Sequence, residues 1–152
     1  MKLKLNIFND EFNDFSEGLE KNLCLLTEYI LTDQGKDKFT INLKFVTTYE
    51  MKSLNKSFRN INSDTNVLSF PTSTDVKKIS GELGDIAMSI PYIKTESQNL
   101  NRDLDDHMMH LLAHGILHLL GFDHNKDKNA DMMEAQEIKY LNSFKIANPY
   151  KI

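Results

Sequence analysis

Residues 114 to 124 read HGILHLLGFDH, which places three histidines, spaced H-x3-H-x5-H, in an otherwise apolar run. From Arg102 to Leu120 the apolar residues recur with a helical period, most densely in the second half. On a helix, residues four apart stand one turn above each other, so His114 and His118 project side by side. Gly121 follows Leu120 directly, at the place where a left-handed glycine commonly ends a helix. The chain is then expected to turn through Phe122 and Asp123 and to fold His124 back toward the first two. Buried imidazoles without partners would each cost on the order of 1–3 kcal/mol, so three idle histidines explain this pattern poorly. Three imidazole nitrogens instead suit one zinc-type ion, with bonds of ~2.0–2.1 Å and a fourth, tetrahedral position left for water. Three protein ligands with one open position is the layout of a catalytic zinc site, not a closed structural one. Copper, nickel or iron would also accept three imidazoles.

Two further histidines compete for the role. His110 extends the stripe to 110, 114 and 118, but its ends are separated by ~12 Å of helical rise at ~1.5 Å per residue. One ion does not readily reach both ends, and His107 is further away still. Both are read as helix-face residues, His110 near the site. The residue after the first histidine is Gly115, where a zinc peptidase of the H-E-x-x-H type carries its glutamate base. Peptide hydrolysis by that mechanism is therefore disfavoured.

The rest of the 152-residue chain fits one domain. Its 40% hydrophobic and 26% charged residues are those of a globular protein. Period-two alternation predicts strands over 2–8 and 39–46, and short apolar runs predict two more over 67–70 and 83–90. Helical spacing predicts helices over 11–31, 50–58, 102–120 and 128–141, the last with Met132 or Met133, Ala135, Ile138 and Leu141 inward. Residues 72–80 read as a polar excursion. The expected fold is α+β, a small mixed sheet of about four strands with about five helices around it. No apolar run approaches the ~20 residues of a membrane span, and the N-terminus lacks the apolar segment of a secretory signal. The single cysteine, Cys24, lies among leucines and reads as a core thiol, with a reducing cytoplasm the simplest setting. A net charge of −4 gives no general attraction for nucleic acid, so an RNA partner would need a local basic patch.

The histidine segment resembles the H-G-x-L-H-L-x-G-[YF]-D-H signature of the YbeY family of bacterial metal-dependent endoribonucleases, the rRNA maturation factors. Three more blocks follow the family's pattern: LNKSFRNINSDTNVLSFP at 54–71, LGDIAMSI at 83–90 and MEAQE at 133–137. Together they cover most of residues 54–137, whereas the first 50 residues carry only a compatible pattern. The resemblance implies a small sheet of about four strands surrounded by helices. It implies one metal ion per chain, usually zinc, on His114, His118 and His124, and it maps the family arginine onto Arg59. It further implies cleavage of single-stranded RNA in rRNA processing, especially at the 3′ end of small-subunit (16S) rRNA, and in ribosome quality control, with the small subunit or its proteins as partners. Phe122 replaces the commoner tyrosine beside the metal loop.

Other residues in these blocks are candidates with two readings each. Lys52, Lys56 and Arg59 are spaced four and three, so they share one helix face. That face is either a phosphate grip or simply solvated. Arg59 adds a planar fork suited to a scissile phosphate, which makes it the catalytic candidate. Asp85, inside an apolar strand, is expected to be a buried carboxylate partnered by a histidine's far nitrogen or by Arg59. Asp123 has the same options or caps its turn. Ser69 touches the site or bonds a neighbour, and Glu134 and Glu137 are expected at the surface or in fold-back contacts. The chain lacks an obvious general base, and the pattern does not choose between attack by water and by the ribose 2′-hydroxyl. Two other functions stay open: a metal-stabilised RNA-binding or ribosome-assembly factor that does not cut, and a metal-dependent hydrolase of another substrate.

Overall fold

A computed structural model describes residues 4–12, 15–123 and 125–151. The alternating runs form strands β1 (Leu5–Phe8), β2 (Thr40–Val46), β3 (Val67–Pro71) and β4 (Glu82–Ser89). The helices are α1 (Leu19–Asp33), α2 (Thr48–Arg59), α3 (Thr74–Ser80), α4 (Ile90–Asn99), α5 (Leu104–Leu119) and α6 (Asp127–Asn142). One sheet orders the strands β1-β2-β4-β3. β1, β2 and β4 run parallel, and β3 joins antiparallel at the edge. The expected single α+β domain with a mixed four-stranded sheet is the observed one, with six helices among the described residues in place of about five.

Two helical expectations needed correction. The polar stretch after Pro71 is not all excursion: Ser73 accepts a hydrogen bond from the Val76 N–H at 3.4 Å and starts α3, which buries none of its residues. The first helix begins at Leu19, not near Glu11. Asn9 and Phe12 close a turn through two hydrogen bonds of 2.6 and 3.0 Å, and Gly18 takes a left-handed φ of +94° that a running helix does not allow. Phe12 and Phe15 still pack on the core as the apolar spacing required, but neither lies in a helix. The first residues of the expected first strand, 2 and 3, lie outside the described ones.

The sheet's two faces differ. On one, Leu5, Ile41, Leu43, Phe45, Ile86 and Met88 join the main core with α1 and α5. On the other, Val46, Leu68 and Ala87 form a smaller cluster with Met51 of α2. Toward β1 that second face turns polar: Asn6 donates to Asn42 at 3.1 Å, and Asn42 to Asp85 at 3.0 Å, between directly paired residues. Asp85 is therefore exposed, not buried, and stands on the face turned away from α5. Alternation about Ile86, which enters the core, fixes this orientation.

Helix α5 is the most enclosed helix, in contact with α1, α4, α6, β3 and β4. Its approach to β4 depends on Gly84, which sits just past a register irregularity. A β-carbon there would stand 2.4 Å from the Phe70 carbonyl oxygen and 2.8 Å from Leu119 Cδ2, at a φ of +156°. His107, also on α5, is buried and bonded through Nε2 to Glu96 at 2.7 Å, and Asn66 donates to the same carboxylate oxygen at 3.0 Å. This ties α5 to α4 and to the segment entering β3.

Two outcomes follow from these contacts. Gly84→Ala should destabilise the fold by about 2–4 kcal/mol, because a backbone oxygen cannot yield as a flexible side chain can; urea denaturation measures it, and an unchanged midpoint contradicts the packing argument. Burial lowers the His107 pKa from 6.5, against the opposing pull of Glu96. Below that pH the unfolded chain takes up a proton that the folded chain resists, so stability should fall. His107→Gln removes this titration, so wild type should lose stability relative to the variant as pH drops from 7.5 toward 5. A constant difference across that range refutes it.

Candidate metal centre

Helix α5 starts at Asp103, whose carboxylate accepts the Asp106 N–H at 3.1 Å. It ends as Gly121 demands: Gly121 N–H bonds the His118 carbonyl at 3.0 Å and Phe122 N–H the Leu117 carbonyl at 3.0 Å, with φ of Gly121 at +98°. These are the paired bonds of a Schellman stop, and they reverse the chain after His118. Asp123 then holds the turn, its Oδ1 accepting the Asn125 N–H at 3.2 Å and the Asn129 amide at 3.5 Å. Turn capping is thus the contact made by Asp123. His124 lies outside the described residues.

Gly115 has a packing reason to be glycine. A β-carbon there would meet Ile86 Cδ1 at 3.1 Å, Ser69 Oγ at 3.2 Å and Ile86 Cγ2 at 3.3 Å. The Ser69 hydroxyl donates to the Gly115 carbonyl at 3.0 Å, fastening α5 to β3 between the two histidines. Ser69 thus bonds backbone beside the site.

His114 and His118 do lie side by side, with their Nε2 atoms 3.1 Å apart. Two nitrogens on one tetrahedral ion with bonds of ~2.0–2.1 Å are separated by ~3.3 Å, so the pair fits a shared zinc-type ion. Among the described residues no three His, Cys, Asp or Glu side chains gather as a ligand set; the third expected ligand is His124. Behind the pair stands a carboxylate expected at the surface or in a fold-back contact. Glu137 of α6 is 1% exposed. Its Oε1 lies 2.7 Å from His110 Nε2, 3.4 Å from His114 Nδ1, and accepts the Tyr150 hydroxyl at 2.9 Å. Burial pushes the Glu137 pKa up, but the hydrogen bonds from His110 and His114 and their charge outweigh it and hold the group at about 2.

Met133 and Leu141 of α6 face inward as expected, Ile138 is half-buried, and the expected place of Ala135 is taken by Glu137 and Tyr140. Met133, Glu137, Tyr140 and Leu141 point inward, whereas Met132 is 52% exposed and Ala135 is exposed. The signal for Glu137 was its spacing of four and three from Met133 and Tyr140, which puts it on their face. His110 stands on the helix face as expected, bonded to Glu137.

Arg59, Lys52 and Lys56 are exposed on α2, which packs on β4 and α4. They share one face as their spacing required. The geometry brings neither Arg59 nor Asp85 into the histidine group: Asp85 pairs with Asn42, and no ion-pair partner of Arg59 occurs among the described residues.

A family model described as Endoribonuclease YbeY matches residues 7–145. Among curated proteins, "Endoribonuclease YbeY" of Francisella tularensis subsp. novicida is 34% identical over 97% of this chain and 93% of its own length. The protein of the same name from Francisella philomiragia subsp. philomiragia is 35% identical over 97% of this chain and 95% of its own. Among solved structures, the solution structure of TM1509 from Thermotoga maritima superposes with a TM-score of 0.63 at 26% identity, covering 97% of this chain and 99% of that one. Family model and relatives thus span the histidine helix, its glycine stop and the helix that carries Glu137, and the chain belongs to the Endoribonuclease YbeY family.

Proposed function

We propose that the whole chain, residues 1–152, is one metal-dependent endoribonuclease domain that cuts single-stranded RNA in rRNA processing. The finer reading is maturation of the 3′ end of small-subunit (16S) rRNA and ribosome quality control, in the cytoplasm, with the small subunit or its proteins as partners. The observation that carries the reading is the His114–His118 pair, Nε2 to Nε2 at 3.1 Å, set just before a chain reversal in a member of this family. His114 is 25% exposed in its side chain, so the pair is partly open to solvent.

In this reading His114, His118 and His124 hold one zinc ion, and another divalent transition metal would fit the same donors. When bound, such an ion lowers the pKa of its water toward ~7 and draws charge from a phosphoryl oxygen. Arg59 grips backbone phosphate with its planar fork, and Lys52 and Lys56 extend that cationic face along the strand. Since α2 and α5 cover opposite faces of the sheet, the RNA passes the edge strand β3 to meet both. Gly115 stands where a peptidase of the H-E-x-x-H type carries its glutamate base, and a β-carbon there would already crowd Ile86 and Ser69, which weighs against peptide hydrolysis by that mechanism. No helix among the described residues is long and apolar enough to cross a membrane.

A cleavage assay on single-stranded rRNA fragments tests the proposal. Metal-loaded protein should cut, chelated protein should not, and readdition of Zn²⁺ should restore cutting. His114→Ala should lose at least ~100-fold in rate, the scale of a metal ligand's loss. Arg59→Ala should lose ~10–1000-fold, the range for a transition-state or phosphate donor, while binding Zn²⁺ as wild type does. A 2′,3′-cyclic phosphate product indicates attack by the ribose hydroxyl, and a 5′-phosphate indicates water. Equal cutting with and without metal removes the metal-dependent mechanism. A metal-loaded protein that binds RNA without cutting it makes the chain an assembly factor instead.

A further inference from the structure

The C-terminal residues return to the histidine helix. The Ile146 N–H bonds the Leu141 carbonyl at 3.1 Å, which turns the chain off α6. The Arg102 guanidinium donates to the Pro149 carbonyl, and the Tyr150 N–H bonds Asn148 Oδ1 at 2.8 Å. This lays the Tyr150 ring edge-on to His110, with centroids 5.6 Å apart at 87°. Its hydroxyl reaches Glu137 Oε1 at 2.9 Å. Tyr150 lies past the last residue, 145, of the family match.

His110 supplies the second hold on that oxygen. Its Nδ1 is buried and has no hydrogen-bond partner among the described residues, so the tautomer that places its proton on Nε2 directs that proton to Glu137, 2.7 Å away. The carboxylate oxygen is thereby fixed by two donors from two separate segments, α5 and the C-terminal tail. The third neighbour of the same oxygen is His114 Nδ1, at 3.4 Å, the outer limit of a hydrogen bond.

We infer that Glu137, pinned by His110 and by Tyr150 of the C-terminal tail, is a positioning residue that fixes His114 with its proton on Nδ1 and its Nε2 lone pair turned to the metal. This rests on the reading of His114 as a metal ligand. The tail acts through the carboxylate, not on substrate. The physical logic is general: an imidazole whose far nitrogen donates to a carboxylate is held in one tautomer and one ring orientation, and it becomes a stronger donor to metal. A buried carboxylate with no donors of its own would instead protonate or swing away.

The test measures Zn²⁺ affinity of the full chain by competition with a chromophoric chelator, together with the visible absorption spectrum of the Co²⁺-loaded protein and the thermal midpoint of the metal-free protein. Glu137→Gln keeps the shape and loses the charge; its Zn²⁺ affinity should fall ~10–100-fold and its Co²⁺ spectrum should shift. Tyr150→Phe keeps the carboxylate and removes one donor; its affinity should fall by a smaller factor in the same direction, with the metal-free midpoint nearly unchanged. Asp33→Asn is the control. It breaks the bonds from Lys139 and Tyr140 on the same helix α6, at 2.8 and 2.5 Å, and should lower the midpoint without altering affinity or spectrum. Wild-type affinity and spectrum in folded Glu137→Gln, or in Tyr150→Phe where the first variant does not fold, would overturn the inference and leave Glu137 a folding residue. Failure of wild type itself to bind Zn²⁺ better than His114→Ala would overturn the metal reading beneath it.

Discussion

Helix α5 rests on the sheet at a distance set by two glycines and one hydroxyl. Gly84 opens β4 where Leu119 comes down, Gly115 opens the helix where Ile86 comes up, and Ser69 closes the contact with a hydrogen bond to the Gly115 carbonyl. A side chain at Gly84 would collide with backbone and one at Gly115 would crowd Ile86 and Ser69, and interiors packed at crystal-like density do not absorb the first cheaply. The histidines ride on this contact. His114 precedes Gly115 directly, so the seating of that residue fixes how far both imidazoles stand from the α6 carboxylate. The same constraint explains why the residue after the first histidine is glycine and not an acid: the position faces the sheet, not the solvent-facing site.

The polar stripe of α5 is likewise a tertiary construction. His107, His110 and His114 each find a carboxylate, Glu96 from α4 for the first and Glu137 from α6 for the others. Buried imidazoles would be a burden on an otherwise apolar helix without these acids. The flanking helices therefore do two things at once. They close the core with Ile93, Met133 and Leu141, and they bring one acid each to the histidine stripe. Loss of the Glu137 carboxylate itself would reach His114 even though no residue of α6 is expected to touch the metal.

What was legible in the sequence were the local devices. The i to i+4 relation of His114 and His118 and the stop at Gly121 are consequences of helix geometry and of left-handed backbone freedom, and both need only neighbouring residues. Strand positions followed from alternation for the same reason. The start of α1 escapes the pattern because Phe12 and Phe15 keep helical spacing while Asn9 closes a turn on Phe12 and Gly18 takes a left-handed φ just before Leu19. The site's depth was not legible, because Glu137 and Tyr150 reach it from α6 and the tail, through a packing arrangement that no local pattern encodes.

Asp85 and Glu137 make the physical reason plain: Asp85, expected to be buried, is exposed, and Glu137, expected at the surface or in a fold-back contact, is buried. Asp85 lies in a strand of leucine, isoleucine and methionine, and its neighbours suggest burial. Yet alternation turns it to the face that α2 leaves partly uncovered, where it is exposed and accepts a hydrogen bond from Asn42. Glu137 lies in a helix rich in lysine, glutamate and asparagine, and its neighbours suggest solvent. Rotation of α6 places it inward, and only the imidazoles of α5 and the Tyr150 hydroxyl make that position tolerable. Whether a carboxylate is buried is decided by which donors the rest of the fold brings to it, not by the hydropathy of adjacent residues. An acid spaced four and three from inward apolar residues on a helix beside a histidine stripe is therefore better read as a partner of those histidines than as surface charge. An acid alternating with core residues in a strand is better read by asking what covers its own face of the sheet.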